Sequence, residues 1–187
     1  IDGIAELQAV MTANGDSENS VIYYVNGLST EEDVEVNIPD NFVAKDVTFI
    51  FNNIKHGAKL TVKEVDGVAA EGRYAGKVYM QIPNLKKDEN LKLASTTITL
   101  PKATIELSEG NWGYLVGASA PNTIIIGEGA IVETLEVKAG NVEVHGTVGT
   151  IKPAEGNTQT IIVTLSENAN VTTIEEKPMG RKSIITK

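Results

Sequence analysis

Two stretches in the last third of the chain repeat one another, and that repeat limits the possible folds more than any other feature. Thr123-Ile124-Ile125-Ile126 opens a segment reading TIIIGEGAIVETLEV, and Thr160-Ile161-Ile162-Val163 opens one reading TIIVTLSENANVTTIEE. Thr-Ile-Ile, an alanine, then Val, Thr, Leu or Ile and finally Glu recur in the same order. The offset from Ala130 to Ala169 is slightly longer than that from Thr123 to Thr160, which reads as a two-residue insertion in the turn. Self-similarity of this kind means one supersecondary unit stacked on another. Between the two copies, residues 137–151 (VKAGNVEVHGTVGTI) hold apolar runs two or three residues long, interrupted by Gly140, Gly146 and Gly149.

Very short strands with glycine corners are the texture of a single-stranded parallel β-helix, a solenoid in which inward residues of one coil stack on those of the next. If the repeat covers two coils, each coil takes about 18–20 residues. Composition agrees with an all-β chain. Valine, isoleucine and threonine supply 56 of the 187 residues, and β-branched side chains fit a pleated surface better than a helix. The alternative is a β-sandwich, which also shows short strands at regular spacing but needs strands of about five or six residues to span its sheets.

The chain divides into three parts. Residues 1–20 carry Ile4, Leu7 and Met11 at helical spacing among good helix formers, stopped by Asn14-Gly15-Asp16. They read as one short helix, or else as a linker. Residues 21–83 are β-rich but less regular. Val34/Val36/Ile38, Val47/Phe49/Phe51, Leu60/Val62 and Val78/Met80/Ile82 alternate with outward residues. Residues 84–187 form the solenoid, beginning with Leu91/Leu93, Ile98/Leu100 and Ile105/Leu107, and are compatible with one continuous domain that includes 21–83. No long helical pattern separates the strands, so this is not an alternation of strands and helices.

The segments PNTIIIGEG (121–129) and LEVKAGNVEVHGTV (135–148) resemble the C-terminal part of secreted or lipid-anchored surface proteins of gut Gram-negative anaerobes. Many of these have unknown function, and they carry short β-helical, adhesin-like turns. The resemblance covers residues 95–152 well and the rest weakly. It implies export and a place at the cell surface or outer membrane; it is compatible with a lipid anchor on the full-length protein, although no lipobox cysteine is present. It carries over no catalytic residue and no ligand. The chain opens on Ile1 rather than Met, as expected where a leader has been removed.

Charge and residue types narrow the chemistry. With 16 basic and 25 acidic residues, net charge −9 and two arginines, nucleic acid is not an expected partner. No cysteine is present, which removes thiolate metal sites, iron–sulfur clusters and cysteine nucleophiles. His56 and His145 have no ligand or triad partner at motif spacing. The acidic groups Glu31-Glu32-Asp33 and Glu175-Glu176 lack calcium-loop spacing. No cofactor and no metal are expected.

Two features bear on ligands. Trp112, the only tryptophan, lies with Tyr114 in the turn-rich GNWGY (110–114). An exposed Trp112–Tyr114 pair would offer a flat apolar platform to a sugar ring, whereas a buried Trp112 would plug a corner of the core. Glu133, Glu136 and Glu143 are the acids best placed for a glycosidase-like pair, but a solvated charged face is the favoured reading of them. The expectation is a non-catalytic exported surface module for adhesion or structural display, meeting a glycan or a host or cell-surface protein. A carbohydrate-binding module is the alternative, and a glycan-cleaving enzyme comes third.

Overall fold

The computed structural model describes residues 1–14, 19–28, 33–52, 54, 58–64, 77–81, 104–117, 123–137, 139–157, 159–175 and 183–186. The expected strands Leu91/Leu93 and Ile98/Leu100 lie outside these residues, as do Tyr74, Ile82, Lys138, His56, Glu31, Glu32 and Glu176.

Among the described residues the chain is all-β apart from one helix, α1 (Ile4–Ala13), and the described strands form one curled, wholly parallel sheet. The strands are β1 (Val21–Val25), β2 (Val34–Ile38), β3 (Val47–Phe51), β4 (Lys59–Glu64), β5 (Lys77–Gln81), β6 (Thr104–Asn111) and β7 (Tyr114–Gly117). They continue with β8 (Thr123–Val137), β9 (Gly140–Val144), β10 (Thr147–Pro153), β11 (Ile161–Leu165), β12 (Asn170–Ile174) and β13 (Ser183–Thr186). Parallel neighbours need a long crossover, usually a helix. Here the crossover from β1 to its partner β3 is itself the strand β2, whose partner is β4.

Two ladders result. The first runs β1, β3, β5, β7, the end of β8, then β10 and β12. The second runs β2, β4, β6, the start of β8, then β9, β11 and β13. The 15-residue β8 bends through both, with Gly127-Glu128-Gly129 inside one continuous strand. Every described pair is parallel. That excludes the sandwich alternative, whose sheets are antiparallel. Strands of 21–83 and of 84–187 belong to the same ladders.

Apolar side chains stack in register between the ladders. Val47, Val78, Leu115, Leu135, Ile151 and Ile174 form one inward row. Val34, Leu60, Ile105, Ile124, Val142 and Val163 form another. All are fully or nearly fully buried except Ile174 in the last rung, which is half-buried. Burial of each such side chain stabilises the fold by about 1.5–3 kcal/mol. Along the second row Ile105, Ile124, Val142 and Val163 follow one another at nearly even sequence intervals, close to the coil length read from the repeat. One detail differs. Thr123 aligns with Asn141 and then with Ile162, and Ile131 aligns with Thr147 and then with Asn170. Both registers follow the longer offset, that of Ala130 to Ala169, so the match of Thr123 to Thr160 slips by two positions. A slip of two keeps every side chain on its face, and the inward pattern survives it.

At the N-terminal end α1 lies against β1 and β2 with Leu7 and Met11, one turn apart, fully buried. The helix covers the end of the core that the first strands would otherwise leave open, as terminal units of stacked folds require. Aspartates set the starts of strands. Asp46, just before β3, accepts the Lys77 N–H of β5 at 2.8 Å and the Ser20 hydroxyl before β1 at 2.9 Å. Those bonds hold its carboxyl below the usual aspartate range. Asp33, just before β2, accepts the Lys59 N–H of β4 at 3.0 Å.

Candidate functional site

The turn between β6 and β7 decides what the two aromatic candidates do. Gly110 (φ 113°) and Gly113 (φ 53°) occupy the left-handed region that side chains avoid. They turn Trp112 inward and leave Tyr114 on the outer face. Trp112 is completely buried; its indole N–H donates to the Glu109 carbonyl at 3.1 Å, and its backbone N–H to Ile131 at 2.8 Å. It therefore presents no ring face to a ligand: of the two readings, Trp112 plugs a corner of the core, beside an outward Tyr114. The physical reason is size. The largest apolar side chain fills the corner where β6 meets β8 rather than facing water.

Tyr114 gathers three charged side chains from strands distant in sequence. Its hydroxyl donates to Glu136 Oε2 at 2.5 Å. Lys77 Nζ lies 4.4 Å from the ring centroid and 3.7 Å from the same carboxylate oxygen. Lys152 Nζ lies 5.1 Å from the centroid. The Tyr114 hydroxyl, with lesser help from Glu136 and Glu175, raises the Lys152 ammonium above the ordinary lysine range. Ammonium groups over a tyrosine ring gain from its negative face. Glu136, expected to be exposed, points outward but is only 18% exposed at its side chain because these neighbours cover it. Glu143, also expected to be exposed, is half-buried between Ile125 and Thr164 of adjacent strands. Neither enters the core, so the register stands.

From Tyr114 a row of hydroxyls runs along the first ladder. Thr134, Thr150 and Thr173 are its successive register partners on β8, β10 and β12, spaced about 4.8 Å apart as adjacent strands are. In the other direction the outer face becomes apolar. Ile22 is 58% and Tyr24 55% exposed on β1; their register neighbours on β3 are Thr48 and Ile50, both half-buried, and half-buried Tyr79 follows Thr48 on β5. The described residues hold four exposed large hydrophobics, and two of them sit on this one strand.

The three glutamates considered for catalysis are dispersed. Glu136 and exposed Glu133 both belong to the first-ladder part of β8, and Glu143 lies on β9 in the second ladder. His145 is half-buried at the corner after β9, where its backbone N–H donates to Ile126 at 2.8 Å. Among the described residues no three His, Asp or Glu side chains are placed to hold a metal ion, and no helix is long and apolar enough to cross a membrane.

Sequence reasoning found Tyr114 and Glu136 but missed Lys77, Lys152 and the threonine row. Lys77 and Lys152 are far apart in the chain, on β5 and β10, and only the ladder register brings them to one ring. Ile22 and Tyr24 were hidden because VIYYV is apolar throughout, which conceals its alternation. No protein-family model, no curated protein and no solved structure matches this chain.

Proposed function

We propose that this chain is a parallel β-solenoid that serves as a non-catalytic, exported surface module for adhesion or structural display. It makes contact through the outer face of the first ladder. The observation that carries the reading is the exposed apolar strand β1. Ile22 and Tyr24 face solvent, with Thr48 and Ile50 as their register neighbours on β3 and Tyr79 one strand further on beyond Thr48, on a rigid sheet whose core is already filled by other residues. A contiguous apolar patch rimmed by polar groups marks a surface that meets a partner, and a preformed sheet loses little entropy on binding. The resemblance of residues 121–129 and 135–148 to surface proteins of gut anaerobes supports export and a surface location, and is compatible with a lipid anchor on the full-length protein.

The test is retention on immobilised mucin and on intact epithelial surfaces. Ile22→Thr/Tyr24→Ser should abolish retention with the melting temperature kept within a few degrees. Retention equal to wild type removes β1 as the contact strand. Carbohydrate binding is the second reading, favoured by a specific observation. Tyr24, Tyr79 and Tyr114 all point outward from one ladder, and aromatic side chains with polar handles are enriched where one end of a contact is apolar and the other wet.

A further inference from the structure

We propose that the row Tyr114–Thr134–Thr150–Thr173 is the binding track for a neutral, extended polysaccharide laid along the long axis of the sheet. The inference rests on the carbohydrate reading above and assigns its site and ligand class.

Three observations carry it. The first is spacing. Register places the three threonine hydroxyls on consecutive strands beyond Tyr114, so the track runs about 14 Å at the strand spacing of about 4.8 Å. A single sugar ring cannot cover that length, whereas an extended polymer can follow it. Hydroxyls fixed on backbone strands are already ordered, which limits the cost of binding.

The second is the mixture of donors and acceptors at the Tyr114 end. Lys77 and Lys152 supply ammonium donors, Glu136 a carboxylate acceptor, and the ring holds both lysine heads at 4.4 and 5.1 Å. Sugar hydroxyls both donate and accept, so neighbouring hydroxyls of one unit match an ammonium and a carboxylate side by side. Tyr114 acts here as a positioning residue: its ring and hydroxyl fix the groups that meet the sugar.

The third is charge, which selects a neutral polymer over an acidic one. Lys77 faces Glu136 at 3.7 Å, and Lys152 feels both Glu136 and Glu175. The cluster has no surplus of cations, and the whole chain carries −9. The summed field steers polyanions away. Threonine hydroxyls also lack the charge that uronate or sulfate groups would demand.

Affinity electrophoresis through gels containing galactomannan, hydroxyethyl cellulose, polygalacturonate or heparin tests the inference. At least one of the two neutral polymers should retard the chain, and neither polyanion should. Thr134→Val/Thr150→Val keeps shape while deleting two hydroxyls. It should weaken retardation at least tenfold with the melting temperature within about 2 °C of wild type. Lys77→Gln should weaken it several-fold through lost donors. Retardation unchanged in the threonine variant, retardation by polyanions alone, or none by either neutral polymer each overturns the proposal. If mucin retention still falls in Ile22→Thr/Tyr24→Ser while the threonine variant behaves as wild type, the adhesion reading stands and the track does not.

Discussion

Replacing Gly146 by alanine asks whether the two ladders are packed as closely at their corners as the structure requires. Gly146 lies between β9 and β10, and its ordinary φ makes alanine acceptable on conformational grounds alone. The obstacle is space. A β-carbon there would sit 2.2 Å from the Gly127 carbonyl oxygen and 2.5 Å from that of Ala130. Both atoms are backbone of β8, which is held by β6 on one side and by β9 and β10 on the other, so neither can swing aside as a side chain would. Relief needs one strand to move bodily. Overpacking of a rigid core costs about 1–3 kcal/mol and occasionally more. The movement also stretches the Gly146 and His145 N–H bonds to Ile126, now 3.1 and 2.8 Å, and loss of a buried hydrogen bond adds about 1–3 kcal/mol. The expected cost is about 2–6 kcal/mol, a large share of the ~5–15 kcal/mol that holds a typical domain together. For a chain of this size that lowers the melting temperature by about 4–24 °C. Gly156→Ala is the control: its φ is +71° but nothing lies within 4 Å, so only the backbone strain of about 1–2 kcal/mol remains. Urea unfolding followed by the emission of the lone, fully buried Trp112 reads both variants. A Gly146→Ala midpoint equal to wild type, or a smaller loss than for Gly156→Ala, would refute the corner packing.

Trp112→Ala should destabilise the chain by about 3–5 kcal/mol, as for other buried tryptophans, and a thermal melt checks it; an unchanged melt means the ring is not in the core. Leu135→Ala should cost about 2–5 kcal/mol, while Glu136→Gln, which weakens one hydrogen bond on the outer face, should cost about 1 kcal/mol, the two being compared by chemical denaturation. Asp46 has a lowered pKa in the folded chain, so its contribution is complete above the unfolded value of about 3.9 and disappears as pH falls through the folded value. The stability gap between wild type and Asp46→Asn should therefore be widest near neutral pH and narrow as the pH falls below about 4, and a gap that does not narrow on acidification contradicts the assignment.

Much of the fold was legible because it depends on local periodicity. Alternation at Val34–Ile38, Val47–Phe51 and Val142–Val144 fixes which side of a strand is apolar, and water enforces that choice wherever the strand lies. The repeat of residues 123–137 gave the interval between stacked strands almost correctly, its error being an even slip that leaves the faces unchanged. The helix at the N-terminus followed from the spacing of Leu7 and Met11. Its role as a cover for the end of the core did not, because that depends on where β1 and β2 end in space.

The candidate site divides along the same line. Sequence marked Trp112 and Tyr114 as a pair, since neighbouring aromatics in a glycine-rich turn are conspicuous, but the turn sends them to opposite sides. Whether an indole fills a corner or faces water depends on the volume left by β6 and β8, which no local pattern encodes. Lys77, Tyr114, Glu136 and Lys152 meet only because parallel register aligns four strands whose connections differ in length. The threonine row has the same origin. Thr134, Thr150 and Thr173 are unevenly spaced along the chain yet evenly spaced across the sheet, because hydrogen bonding between strands sets the spacing there and the loops between them absorb the difference.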